Sequence, residues 1–322
     1  MSESTSFVTR SRAHVRALWP RYPFWPATPF WLLALFWALQ GKLRWDHIAV
    51  AVFASAIAYG TPFTKKLFLG ILPIGLVGVL YDSMKVVKNV GLTRDNVHVC
   101  DVRAIDQRFF GFDWNGTRVT LHDWLQQHWT PFLDRYCAIP YGIFIGVVIA
   151  YSVYLFLRDY PGLLRFTWSF LALNVAGFIT YHVYPAAPPW YFHHYGCAVD
   201  LATKASEGPN LARVDAWLGV PYFAGVYGRS SDVFGAVPSL HVAYPLLMVL
   251  EGFRRHRWLG RVLLVWFYLS MCFAAVYLDH HWVFDIVLGS LYTVVISYVM
   301  RRVLSGRFGI DLPQVAVPGV AK

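Results

Sequence analysis

Charge is what this chain has least of. Only 14% of its 322 residues are Asp, Glu, Lys or Arg, against 57% hydrophobic and 18% aromatic. A soluble globular domain carries about 25% charged residues, so that class is excluded at the outset. The four cysteines are too few for a disulfide framework. No internal repeat or low-complexity block is present, and the polar, basic start "MSESTSFVTRSRAHVR" lacks the compact apolar core and small-residue site of a cleaved signal peptide.

What is present is apolar sequence in long runs. They cover residues 25–39, 48–63, 67–81, 137–157, 166–184, 236–250, 262–278 and 282–300, which predicts an all-α polytopic membrane protein with about eight transmembrane helices. The first three runs are short or broken by proline, and Pro20, Pro23, Pro26 and Pro29 leave an interfacial or re-entrant first segment as the alternative. The formal charge of +10 would suggest nucleic acid in a soluble protein. Here its placement sets topology instead, and no nucleic-acid partner is expected. With the N-terminus cytoplasmic, Arg10, Arg12, Arg16, Arg21, Lys65, Lys66, Arg158, Arg165, Arg254, Arg255, Arg257, Arg261, Arg301 and Arg302 all fall inside, and only Lys42 and Arg44 among the short loops dissent. The C-terminus is then cytoplasmic too. Expected boundaries are an N-terminal cytoplasmic segment with two extra membrane segments (1–64), a core (65–303) and a cytoplasmic tail (304–322).

Two long outer loops interrupt the spans, at 82–136 and 185–235. In the first, "TLHDWLQQHW" with Thr120 as cap and Asp123 behind it predicts an amphipathic helix on the membrane surface. The second opens within "YPAAPPWYFHHYG" and ends with "GVYGRSSDVFG", both of them turn chemistry. Cys100 and Cys197 lie in these loops and are read as free thiols, because spacing alone does not show proximity. Cys137 and Cys272 read as small apolar residues inside spans.

Three polar clusters then share one membrane face: "YPAAPPW", "AVPSLHVAY" and "LDHHWVFD". Ionisable residues at the edge of a span are costly and usually functional. His281 and Asp285 are spaced i, i+4, so a helix would put the carboxylate one turn from the ring, where it accepts from one imidazole nitrogen and leaves the other as nucleophile or base. Ser239 and His241 open the sixth span, where free N–H groups and the helix dipole suit an anion. Ser239 would donate to a phosphate oxygen, and His241 would hand a proton to a leaving oxygen. Separately, a His–Asp pair is more often structural and a serine there more often a mere cap. Together on one face they favour chemistry on phosphorus.

"PSLH" and "YLDHHWVFD" resemble the second and third signature motifs of the type 2 phosphatidic acid phosphatase superfamily, P-S-G-H and S-R-x5-H-x3-D. With "FGAVPSLH", "YPAAPPW" and "YLDHH", the likeness is closest to its inositol phosphorylceramide synthase-like branch, and "LYDSMK" at 80–85 matches more loosely. The resemblance implies a six-helix core from the last six spans, with the site at the outer face, toward periplasm or an organelle lumen. It implies that His281 forms a phosphohistidine, Asp285 orients it, His241 is the acid and Ser239 belongs to the phosphate cradle. It also implies no metal or organic cofactor. Three departures stand out: Leu240 replaces the motif glycine, Ala275 the phosphate-binding arginine, and Gly177 and Tyr184 occupy the basic positions of the missing first motif, K-x6-R-P. Arg229 and Lys85 are the candidates to match phosphate charge instead, with solvated loop charges or lipid-headgroup contacts as the alternative. His280, Asp82, Tyr184 and Trp190 are candidate substrate contacts; His280 points about 100° from its neighbour on a helix and does not share its role.

A phospho-enzyme divides the reaction into two displacements, and the second acceptor defines the enzyme. The resemblance favours transfer of a phosphoryl headgroup such as phosphoinositol from a phospholipid donor to a lipid alcohol such as ceramide. Hydrolysis of a lipid phosphomonoester is the alternative. A third reading takes His241, His280, His281, Asp279 and Asp285 as ligands of zinc or iron in a membrane oxidase, hydroxylase or transporter; the absence of a repeated H-x3-H pattern ranks it lower. A non-catalytic scaffold would tolerate loss of His281.

Overall fold

The structure is a computed structural model that describes residues 7–21, 23–88, 90–204, 210–228 and 233–308. In chain order its elements are α1 (Phe7–Leu18), α2 (Thr28–Leu39), α3 (Trp45–Tyr59), α4 (Pro62–Val87), α5 (Cys100–Phe110), β1 (Phe112–Trp114), β2 (Thr117–Val119), α6 (Leu121–Gln127), α7 (Pro131–Arg158), α8 (Tyr160–Val183), α9 (Pro189–Tyr195), α10 (Ala212–Leu218), α11 (Tyr222–Tyr227), α12 (Leu240–Gly252), α13 (Trp258–Tyr277) and α14 (Val283–Phe308). The protein is helical, its described strands being one antiparallel hairpin. Five described helices, α4, α7, α8, α13 and α14, are long and apolar enough to cross a membrane, and α2, α3 and α12 are shorter apolar helices. The protein is an integral membrane protein.

Contacts divide the chain into two compact units, Met1–Ser83 and Met84–Lys322. In the first, α2 packs on α3 around Phe30, Ala51, Ala54, Ala58 and Phe68. Asp82 is buried there and accepts from Arg44 Nη2 at 3.0 Å and from His47 Nε2 at 3.1 Å. Five of the six expected core spans, α7, α8, α12, α13 and α14, belong to the second unit; α4 lies mostly in the first.

The second unit is built around α12, which packs against α7, α8, α13 and α14. At 13 residues α12 rises only about 20 Å, short of a bilayer's ~30 Å hydrocarbon core. Its apolar surface is therefore matched by protein on nearly every side: Leu240, Val242, Ala243, Leu247 and Met248 are all buried. Around it, α13 shows the division expected of a helix between core and lipid. Ser270, Met271, Ala274 and Ala275 face inward, while Val262, Leu263, Trp266 and Leu269 are exposed. Local chemistry sets the helix starts. Thr130 caps α7 by accepting from Leu133 N, with Pro131 at the first helical position, and Asp159 caps α8 through Gly162 N.

One expectation about the loops is corrected. Cys100 and Cys197 are disulfide-bonded, with Cα atoms 5.4 Å apart. Their 97-residue separation hid a proximity that tertiary folding creates: Ala186 bridges to both His98 and Gly235, stitching the first outer loop to the start and end of the second. The segment after Thr120 does form a helix, α6, with a reciprocal Thr120–Asp123 capping box. His122 and Leu125 are buried against protein and α6 packs on α13, because His122 has a carboxylate, Asp279, to face.

Candidate active site

Three short segments converge above α12. The first is the turn 278–282 between α13 and α14; the second is the stretch 236–239 leading into α12; the third is the turn of α7 carrying Tyr141 and Phe144. His281 precedes α14 by two residues, so the expected helical i, i+4 pair with Asp285 is instead a turn residue beside the first turn of a helix. Both His280 N and His281 N donate to the carbonyl of Ala275 at 3.1 Å. Ala275, at the position of the family's arginine, is wholly buried and supplies a backbone anchor in place of a charge.

The His281 Nδ1–H has the Ala236 carbonyl as its nearest acceptor at 3.0 Å, with Asp285 Oδ2 at 3.5 Å. The expected orienting role of Asp285 is thus shared with a backbone carbonyl, which the Ala186 bridge holds in place through Ala236 N donating to Ala186 O. Asp285 Oδ2 accepts from Trp282 N at 2.9 Å, so the carboxylate also closes the turn that presents His281. With Nδ1 as donor, His281 Nε2 keeps its lone pair. That nitrogen lies 3.0 Å from His241 Nδ1. The two imidazoles therefore do not flank a gap; they hydrogen-bond to each other directly. Tyr141 stacks on His241 with ring centroids 4.8 Å apart, and Phe144 covers the same ring at 5.0 Å.

Two helix N-termini meet here, and they differ. At α14, Asp285 takes Trp282 N and Asp106 takes Phe284 N at 2.9 Å, so carboxylates already occupy it. At α12, Ser239 is the cap, accepting from Val242 N only at 3.5 Å, while its own N–H donates to Asp285 O. The α12 terminus, with Ser239 wholly buried at its tip, is the better anion cradle. Close approach is obligatory at one point. A Cβ on Gly289 would stand 2.4 Å from Ser239 O, so only glycine lets α14 pass the start of α12.

The other expected residues are distributed more widely. His280 is buried, its Nδ1 3.2 Å from Tyr227 OH, and its ring makes an edge contact with Tyr141. Its Nε2 and the Tyr141 hydroxyl are buried without a hydrogen-bond partner. Trp190 is buried and its backbone N–H donates to the carbonyl of Asp279. Tyr184 stacks on His98 at 3.8 Å. Lys85 stands in the last turn of α4, and Asp82 is held within the first unit by Arg44 and His47. Arg229 lies outside the described residues. The set proposed for a metal is divided: Asp279 pairs with His193 and His122, while His241 pairs with His281. Among the described residues no group of three or more His, Cys, Asp or Glu side chains is arranged to hold a metal ion.

Sequence reading missed Asp106, Tyr141, His122, Asp123 and His193. Asp106 reaches the site across 178 residues of sequence, and no local pattern marks it. His193 sits between Asp279 Oδ2 at 2.5 Å and Asp123 Oδ1 at 3.2 Å. Burial alone would lower its pKa, but hydrogen bonds to Asp123 and Asp279 outweigh that and hold the imidazole at about 9. Asp123 is likewise desolvated, yet the His193 hydrogen bond, with Thr120 and Arg103, brings it well below the usual carboxylate range.

A sequence model of the PAP2 superfamily matches residues 101–299. The phosphoinositol dihydroceramide synthase of Bacteroides thetaiotaomicron is 32% identical over 249 residues, covering 77% of this chain and 81% of that protein. The inositol phosphorylceramide synthase catalytic subunits of Schizosaccharomyces pombe and Saccharomyces cerevisiae are 28% and 30% identical, over 81% and 74% of this chain. The matches span 59% and 57% of those two fungal proteins. No solved structure is significantly similar to the chain.

Proposed function

The chain belongs to the PAP2 superfamily, and on that premise we propose that it is a lipid phosphotransferase moving phosphoinositol from a phospholipid donor to the primary hydroxyl of a ceramide or dihydroceramide. The observation that carries this reading is the His241–His281 pair, 3.0 Å apart over the N-terminus of α12. The relatives, a phosphoinositol dihydroceramide synthase and an inositol phosphorylceramide synthase, supply the headgroup and the acceptor class.

His281 Nε2 attacks the phosphodiester phosphorus, taking the place that His241 Nδ1 occupies in the hydrogen bond. The phosphorus–oxygen bond to the diacylglycerol breaks, and that oxygen takes a proton from His241 in its protonated, imidazolium form, which becomes the neutral imidazole. The product is phosphoinositol on His281 Nε2, its imidazolium charge faced by Asp285 and the Ala236 carbonyl. In the second displacement the acceptor hydroxyl gives its proton to His241 and attacks phosphorus, the nitrogen–phosphorus bond breaks, and both histidines return to their starting states. Ser239 and the first-turn N–H groups of α12 receive the phosphoryl oxygens. The aromatic wall of Tyr141 and Phe144 over His241 supports an acceptor with an apolar body and hinders water.

We assign the site to the non-cytoplasmic face, with both termini cytoplasmic. The Cys100–Cys197 disulfide beside it supports that side, since disulfides persist in oxidising compartments. The test is incubation of purified protein with ring-labelled phosphatidylinositol, with and without ceramide. Label in a ceramide-dependent lipid product is expected. Label released only as water-soluble inositol phosphate would replace transfer with hydrolysis.

A further inference from the structure

A cleft of about 600 Å³ that the reaction scheme leaves unused counts Asp279, two residues before His281, in its lining, and is within the size range of small-molecule sites. Its polar lining comes from elements far apart in sequence: Asp123 and Gln126 on α6, His193 on α9, Asn210 and Arg213 at α10, and Asp279 from the catalytic turn. Asn210 Nδ2 donates to Gln126 Oε1 and Arg213 Nη1 donates to Asn210 Oδ1, both at 2.8 Å, forming a continuous row of alternating donors and acceptors.

Asp279 ties the cleft to the chemistry, being two residues before His281. It is one of two described non-glycine residues with positive φ, at +67°. That conformation is costly for a side-chain-bearing residue and recurs at functional sites. The residue is 3% exposed, and its carboxylate lies between His122 Nδ1, 3.4 Å from Oδ1, and the cleft's His193, whose Nδ1 is 2.5 Å from Oδ2.

We propose that this cleft is the subsite for the donor's headgroup and that it selects a neutral polyol ring; the proposal rests on the transfer reading above. Charge balance argues for neutrality. Three carboxylates, Asp123, Asp134 and Asp279, are matched by Arg103, Arg213 and a His193 held protonated at neutral pH, which leaves no net charge to draw a cationic or anionic headgroup. A quaternary ammonium group would want an aromatic cage, and Trp190 is the one aromatic ring among the lining residues described. Ring hydroxyls, each both donor and acceptor, match the alternating row of carboxylate, amide, imidazole and guanidinium groups.

The test compares two ligands that share the phosphate and differ in the polyol, myo-inositol 1-phosphate and glycerol 3-phosphate. Both are titrated against the full-length protein in detergent, with the thermal shift as readout. The inositol compound is expected to act at concentrations about tenfold lower. Gln126→Leu and Asn210→Leu, which remove donors and acceptors at the cleft without touching the histidines, should each erase most of that preference. Folding is checked by the unfolding temperature of each variant before ligand is added. A wild-type protein that responds alike to both phosphates, or folded variants that keep the preference, overturns the assignment. Inositol preference without lipid transfer would refute the transfer reading alone, and transfer without the preference would refute the cleft alone.

Discussion

Leu240 lies directly over Gly177: a Cβ placed on Gly177 would stand 3.0–3.2 Å from the carbons of the Leu240 side chain. These are two of the positions at which the chain departs from the broad family motifs, with leucine for the motif glycine and glycine for a basic residue. The departures fit each other in space. A side chain at 177 would crowd Leu240 unless that leucine gave way by a few tenths of an ångström, and no charged side chain stands at either position.

This pairing predicts coupled mutations. Gly177→Val should destabilise by about 1–3 kcal/mol through overpacking, and Leu240→Ala should cost about 2–3 kcal/mol as a cavity. The double variant should fall short of the sum, because each change relieves the other. Unfolding midpoints in detergent check this; strict additivity would show that the two residues do not compete for one space.

His281→Ala should abolish transfer and remove the acid-labile radiolabel that a 32P-labelled phospholipid donor leaves on the wild-type protein. Asp285→Asn can still accept from Trp282 N but loses its charge, so turnover should drop on the order of 10²–10⁴-fold with the fold retained. Full labelling of the His281→Ala protein would exclude the nucleophile assignment.

His241→Ala should harm most where the leaving oxygen is basic. With a nitrophenyl phosphodiester, whose leaving group needs no proton, the loss should be at least tenfold smaller than with phosphatidylinositol. An equal loss on both substrates would count against an acid.

His193 gives the protein a pH dependence on the alkaline side. Its folded pKa is raised from 6.5 to about 9, so the stability it contributes is complete below pH 6.5 and is lost as pH rises through 9. The unfolding temperature should therefore decline by a few degrees, on the order of 2–5 °C, between about pH 7 and pH 10. His193→Gln should flatten that part of the profile. Asp123, held low, works oppositely: its contribution is present above the ordinary carboxylate pKa and disappears only in acid.

Cys100→Ser or Cys197→Ser should lower the stability of the outer loops by about 2–4 kcal/mol. Local unfolding, read by hydrogen exchange at 97–103 and 184–200, should rise in either variant. Because the disulfide braces the strand pairing that holds the Ala236 carbonyl toward His281, turnover should fall as well.

Much was legible without coordinates because it follows from local chemistry. Apolar runs of spanning length require helices in lipid, where every backbone N–H needs an internal partner. Thr120 and Ser239 could be read as caps from their neighbours alone, and the order "YPAAPPW", "PSLH", "YLDHH" placed the histidines on one face and identified the family. Three things waited for the tertiary structure, because each depends on residues that meet only when distant segments pack. His281 Nδ1 lies nearer the Ala236 carbonyl than Asp285, since the turn before α14 lifts the ring off the helix. Cys100 met Cys197 across 97 residues through the bridges at Ala186. The cleft of Asp123, His193 and Asp279 draws one residue from each of three separate segments, and no spacing along a chain encodes a meeting whose geometry is set by how helices pack.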